Sequence, residues 1–274
     1  MLVLVFAAVE VAGGLIAGSL ALLADAVHMA ADAGSLGLAL GAAWLARRPP
    51  TLGRSFGFAR AEILAALTNG AALVALAIWI FVEAGRRLAS PPDIRAGWVL
   101  GVGVAGLVVN LVAARVLWRP GGGSLNIRAA LLHVLADLLG SAGVVIAALV
   151  ILAAGWERAD PLVSILIGVL VLASAWGVLR ESAGILLESA PEGLDVAEVG
   201  HAMASHPEVV GVHDLHVWTI TSGFPSLSAH VVVQRYADCH SVRRELEHVL
   251  HDRFGLDHTT LQVDHEQGLL TLER

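Results

Sequence analysis

The chain has 274 residues, of which 57% are AVILMFWYC, with 29 glycines besides. An apolar share of roughly two-thirds, against about 45–50% in ordinary soluble domains, excludes a soluble enzyme, as does a mean hydropathy of +0.75. The net charge is −7, all seventeen basic residues are arginine with no basic run to suit nucleic acid, and the single cysteine, Cys239, excludes an intrachain disulfide.

Six apolar segments follow one another at about 1–18, 21–46, 60–84, 95–118, 127–154 and 160–184. Each is near the ~20 residues that cross about 30 Å of hydrocarbon. The first, MLVLVFAAVEVAGGLIAGSL, lacks a basic start and carries Glu10, so it reads as a spanning helix that begins at or slightly before Met1, not as a signal peptide. The connections GSLA, RRPPTLGRSFGFAR, RRLASPPDI, RPGGGSLN and GWERAD are short and hold the helix-stopping prolines and glycines. Eight arginines (47, 48, 54, 60, 115, 119, 128 and 180) fall on one side and four (86, 87, 95 and 158) on the other. That bias predicts both termini in the cytoplasm.

After PEG at 191–193 the long apolar runs stop, and ten of the twelve histidines follow. DVAEVGHAMASH has helical spacing, VVGVHDLHVWTI and SLSAHVVVQ alternate as strands, HSVRRELEHVLHDRF is again helical, and TTLQVD is a third strand. The expected architecture is a six-helix membrane domain over 1–186 and an αββαβ cytoplasmic domain over 191–274.

Two segments carry costly side chains at membrane depth: HMAAD at 28–32 and HVLAD at 133–137. Positions i and i+4 share a helix face, so His28 looks the same way as Asp32, and His133 the same way as Asp137. One membrane histidine is ordinarily a hydrogen-bonded packing residue. A carboxylate beside it changes that reading, because a charge at the bilayer centre costs at least ~2.5–3.5 kcal/mol. Two such pairs on antiparallel spans can compensate each other through a shared cation. Two imidazoles and two carboxylates suit four-coordinate Zn²⁺, whereas Mg²⁺ and Ca²⁺ prefer more oxygens. Zinc needs neutral histidine, so binding competes with protonation and a proton gradient can drive the exchange.

At these residues the chain resembles the cation diffusion facilitators, a family of proton-coupled divalent-metal exporters. The resemblance spans the chain through EVAGGLIAGSLALLADAVHMAADAGSLGLAL (10–40), FGFARAEILAALTNG (56–70), SLNIRAALLHVLADLLGS (124–141), ADPLVSILIG (159–168) and GVHDLHVWTI (211–220). It implies that His28, Asp32, His133 and Asp137 form the transport site, in the two-His, two-Asp version of zinc-selective members, with Cd²⁺ or Co²⁺ as further cargo. It implies a homodimer in the lipid of the cell's inner membrane, exchanging Zn²⁺ for protons, with a ferredoxin-like cytoplasmic domain. By position His213, His230, His240 and Asp264 or His265 match metal ligands in that domain. The short RPGGGS connection departs from members with a His-rich loop, and RRPPTLGRSFGFAR holds no His or Asp for a second site.

Other polar residues have plainer readings. Asp25 is a helix cap or structural hydrogen-bond partner, in preference to an outer staging point for protons or cations. Glu10, Asn69 and Asn110 are interhelical partners, each worth ~0.6 kcal/mol on average in membranes. Glu62 pairs with Arg60, Gly34, Gly37 and Gly41 admit a neighbouring helix, Trp218 is core, and Cys239 is a buried thiol. His213 and Asp214 fall on opposite strand faces and do not readily share an ion. His201, His206, His248, His251 and His258 are solvated. An intramembrane hydrolase would need a base such as the Glu of H-E-x-x-H and an open metal position, and H-x-x-x-D offers neither. A pure metal sensor would not need a ligand set at bilayer depth.

Overall fold

The structure, a computed structural model, describes residues 2–117 and 125–266, without the side chains of 2–4, 117, 125–130, 132 and 133. Among the described residues eight helices and three strands follow in order: α1 Leu2–Ala17, α2 Leu20–Ala46, α3 Ala61–Ala89, α4 Ala96–Leu117, α5 Leu125–Ala154, α6 Ala159–Leu186, α7 Val196–Ala204, β1 Val209–Thr221, β2 Phe224–Val233, α8 Cys239–Phe254 and β3 His258–His265. They form two compact units, Met1–Gly41 with Ala65–Leu179, and Ala42–Leu64 with Arg180–Arg274.

The first unit is helical because lipid offers no partner for backbone N–H and C=O groups, which a helix pairs internally. Among the described residues five helices are long and apolar enough to cross a membrane, α2 to α6. The sixth expected span, α1, is a 16-residue apolar helix, shorter than the ~20 residues of a typical crossing. Alanine and valine dominate the buried cluster, with Ala17, Ala21, Ala24, Ala77, Val99, Val144, Ala148, Val171 and Ala175 all nearly inaccessible. Small side chains let the backbones approach, and packing between helices replaces the hydrophobic effect inside lipid. Gly13 shows the limit: a Cβ there would stand 2.9 Å from Val102 Cγ2. For Gly34, Gly37 and Gly41 no described atom lies within 4 Å of where their Cβ would be, so the neighbouring helix expected there is not among the described residues. Helix spacing put them on α2, but nothing in it specified a facing neighbour.

Asp160 ties the α1–α2 turn. α1 ends at Gly18, whose φ of +74° suits a residue without Cβ. α2 then starts with a buried carboxylate from α6 across its first turn. Asp160 accepts from Leu20 N at 2.7 Å, from Ala21 N at 3.3 Å and from the Ser19 hydroxyl, while Ser19 Oγ accepts from Leu22 N at 3.2 Å. These are the orphan amides every helix start presents. Arg87 of α3 donates to the Gly18 carbonyl at 2.6 Å, closing the same turn from the other side.

The second unit contains the expected αββαβ order. β1 and β2 are antiparallel, β2 and β3 are parallel, and the sheet order is β1-β2-β3. Alternation explains its two faces. Leu227, Ala229, Val231 and Val233 of β2 are buried with Val199 and Met203 of α7 and Val242, Leu246 and Leu250 of α8. The intervening His230 therefore belongs to the opposite, helix-free face. Asp195 and Asp238 cap α7 and α8 by accepting backbone N–H bonds, and Gly255 ends α8 at φ +65°. The amides of Ser241 and His240 hold the Asp238 carboxyl below its ordinary range.

Candidate metal centre

α2 and α5 bring part of the expected ligand set together. His28 Nε2 lies 3.6 Å from Asp32 Oδ2 on its own helix and 3.5 Å from Asp137 Oδ1 on α5. One ligand atom from each of the three falls within 4.8 Å of the others. A tetrahedral ion with bonds of about 2.0–2.1 Å has ligand–ligand edges of about 3.3 Å, close to these spacings. The three side chains are 11%, 26% and 14% exposed, so the cluster is shielded but reachable. His133 sits on α5 one turn before Asp137; its side chain lies outside the described residues.

Beside the cluster is a cavity of about 470 Å³. Asp25, His28 and Asp137 are its charged or titratable lining, and Gly140, Ile167 and Ser174 are among the rest. Asp25 is 2% exposed and accepts from the Ser141 hydroxyl at 3.1 Å, and Ser141 Oγ accepts from Asn110 Nδ2 at 3.0 Å. The structural hydrogen bond expected for Asp25 and the interhelical role expected for Asn110 are thus both present. The α2 cap, the alternative for Asp25, is instead made by Ser19 and Asp160. Sequence reasoning missed Asp160; the available signal was a carboxylate in the first turn of an otherwise apolar helix.

In the second unit the cross-strand pair His213 and His230 meets with ring centroids 5.2 Å apart. Asp214 joins them, its Oδ2 being 3.2 Å from His213 Nδ1, and the three can share an ion. This corrects the expectation that His213 and Asp214 point apart. The ladder shifts register between His213 and His216, and Asp214 has φ +50°. Such a bulge breaks the two-residue alternation and turns both side chains the same way.

The remaining expected ligands are not gathered at His213 and His230. Asp264 accepts from Gln262 Nε2 at 2.8 Å. His265 contacts Cys239 Sγ through Nε2 at 3.4 Å and the Ala237 carbonyl at 3.0 Å. His240 is at the start of α8, where its N–H donates to Asp238 at 2.9 Å. Cys239 is half-buried, not the buried thiol expected. Arg60 pairs at 3.3 Å with Glu188, not with the expected Glu62, two residues away on α3. Trp218 is half-buried and, with Phe56 and Arg60, lines a groove of about 820 Å³, so it is not core.

Electrostatics in this unit is local. His206 Nε2 lies 2.9 Å from Glu245 and lowers the pKa of that carboxyl, and the Asp257 carboxylate raises the pKa of His251.

Family models match both regions: the cation efflux transmembrane domain over residues 1–187 and the cation efflux protein cytoplasmic domain over 191–266. The chain belongs to the cation efflux family. As a cation efflux protein it is a multi-pass membrane transporter of metal cations and not an enzyme, in keeping with the resemblance drawn from its motifs. It is 44% identical over 266 residues to the zinc transporter ZitB of Shigella flexneri, covering 95% of this chain and 84% of that one. It is 41% identical over 263 residues to a cadmium, cobalt and zinc/H(+)-K(+) antiporter of Bacillus subtilis (strain 168), covering 94% and 84%. It is 42% identical over 260 residues to the metal cation efflux system protein CzcD of Cupriavidus metallidurans, covering 94% and 82%.

Proposed function

We propose that this cation efflux protein exports cytoplasmic Zn²⁺ in exchange for H⁺ through His28, Asp32, His133 and Asp137. The observation that carries the reading is the meeting of His28, Asp32 and Asp137 from two helices, with one ligand atom of each within 4.8 Å of the others. His133, four residues before Asp137 on α5, is the fourth ligand. Two imidazoles and two carboxylates close the coordination sphere of a borderline cation. Zinc binds from the cytoplasm, the helices rearrange, and protons from outside displace it by taking the donors' lone pairs. Cd²⁺ and Co²⁺ fit the same donor chemistry, and a relative carries both in its name.

The accompanying arrangement is six spans over 1–186 and a ferredoxin-like cytoplasmic domain over 191–274, with both termini in the cytoplasm of a homodimer in the inner membrane. The dimer is supported by the match to the cytoplasmic domain model. Metal on that domain regulates transport, held first by His213, Asp214 and His230; His240 and Asp264 or His265, which lie apart from that group, belong to further ligand positions in this proposal. The grouping of His213, Asp214 and His230 favours it.

The test is metal uptake into proteoliposomes with a Zn²⁺, Cd²⁺, Co²⁺ and Mn²⁺ panel under imposed pH gradients. Zinc flux should rise with an opposing proton gradient. Flux indifferent to the gradient would reject the exchange, and preference for Mn²⁺ would reject the ligand set.

A further inference from the structure

Glu10 of α1 is a buried acid that the metal cluster does not use. It is 1% exposed, and neither carboxyl oxygen has a hydrogen-bond partner among the described residues. The expected interhelical hydrogen bond is therefore not made among the described residues. The acid is pressed against α4, where a Cβ on Gly106 would come within 2.8 Å of Glu10 Oε1 and 3.1 Å of Phe6 Cε1. Among the described residues, the other buried acid of the first two helices is Asp25 of α2. α4 and α5 present the uncharged Asn110 and Ser141, whose hydrogen bonds run to one another and on to Asp25. Asp25 in turn lines the cavity that holds His28 and Asp137.

A carboxylate without a donor at this depth is far costlier than the same group carrying its own proton. A second buried acid in the same unit, Asp25, would add to that cost if both were ionised. A permanently neutral hydrogen-bonding role would be served by glutamine. Only a carboxyl can also change charge when its surroundings do.

We propose that Glu10 is a proton-carrying site of the transport cycle, separate from the metal ligands, that holds one proton in the conformation described and yields it when a dication occupies the His28–Asp32–Asp137 cluster. The inference rests on the proposed Zn²⁺/H⁺ exchange. In the step one O–H bond of Glu10 breaks, the electron pair stays on its oxygen, and the proton passes to water. Metal release reverses it, and water returns one proton to the carboxylate. The cavity lined by Asp25, His28 and Asp137 supplies the coupling, because a dication at the cluster brings positive charge beside Asp25 and so lowers the cost of ionising an acid in the same unit.

The experiment measures protons released per Zn²⁺ bound by the full-length purified protein in weak buffer, with Zn²⁺ binding followed in parallel. Glu10→Gln should still bind Zn²⁺ but release one proton fewer, and the slope of log Kd against pH should fall by about one. Glu10→Asp, which keeps a titratable group, should release as many as wild type. Equal release by wild type and Glu10→Gln would overturn the proposal while leaving the exchange intact. No release by wild type would overturn the exchange itself. If Glu10→Gln does not fold, infrared difference spectra of wild type and Glu10→Asp decide. A carboxylic C=O band that is lost on Zn²⁺ addition and shifted in Glu10→Asp supports the site; no such band rejects it.

Discussion

His28 is the residue on which the two cluster distances converge, 3.6 Å to Asp32 and 3.5 Å to Asp137. If the proposed ligand set is right, its imidazole sets the softness of the site. Replacing it by a carboxylate gives a harder donor set, so His28→Asp should shift preference from Zn²⁺ toward Mn²⁺ in proteoliposome competition. Unchanged metal ratios would reject selection by ligand type. Asp32→Ala and His133→Ala each remove one of four donors and should abolish zinc uptake while the purified protein remains monodisperse. Full uptake by either variant rejects its place in the site. For His133 this is the more telling test, since its side chain is outside the described residues. At this scale the sequence was informative where a residue's neighbours lie on its own helix. It failed at Asp214, where a bulge overrode strand alternation, and at Arg60, whose partner Glu188 is 128 residues away.

Elements are held at their ends, and Asp160 is the clearest instance. It is fully buried and accepts two amide bonds and one hydroxyl bond at the start of α2. Hydrogen bonds to a charged group contribute about 1.5–3 kcal/mol, and leaving the amides bare adds their desolvation. Asp160→Ala should therefore lower the Tm of the detergent-solubilised protein by an amount equivalent to about 2 kcal/mol or more. A Tm equal to wild type would show that other groups satisfy those amides. At the opposite end of the chain, the Asp257 carboxylate raises the proton affinity of His251 near the end of α8. Because the folded value lies above the unfolded one, the interaction is fully present below the unfolded pKa and is lost as pH rises through the folded one. The pair is exposed and its effect on stability small. NMR titration should place His251 above an ordinary imidazole, and Asp257→Asn should bring it back; a titration curve indifferent to that change would reject the pairing. Helix and strand order were legible because apolar periodicity and end signals are local. The cap on α2 was not, because its acceptor comes from α6.

The whole molecule depends on both lipid and, in the proposed assembly, a second copy. Trp44, Trp79, Trp98, Trp156 and Trp176 are all solvent-exposed in the isolated chain, alongside many exposed leucines and valines. Aromatic rings of this kind favour the membrane–water interface, and the aliphatic side chains favour the hydrocarbon between. If the homodimer is right, light scattering of the detergent complex should give twice the chain mass across the working concentration range; a monomer throughout would reject it.

Composition alone determined that the chain is a membrane protein. Hydrophobic periodicity determined its succession of helices and the αββαβ order that follows, and i,i+4 spacing picked out both His–Asp pairs. These are properties of neighbours along one backbone, and lipid enforces them because a helix satisfies its own polar groups. Tertiary structure alone decided that His28 meets Asp137 across two helices, that Asp160 caps α2, that His213 and Asp214 share a side, and that Glu10 lies buried without a hydrogen-bonding partner among the described residues. Each depends on residues far apart in the chain or on a local departure from ideal geometry. HMAAD by itself marked where a charge would be expensive; the fold supplied the neighbour that makes the expense intelligible.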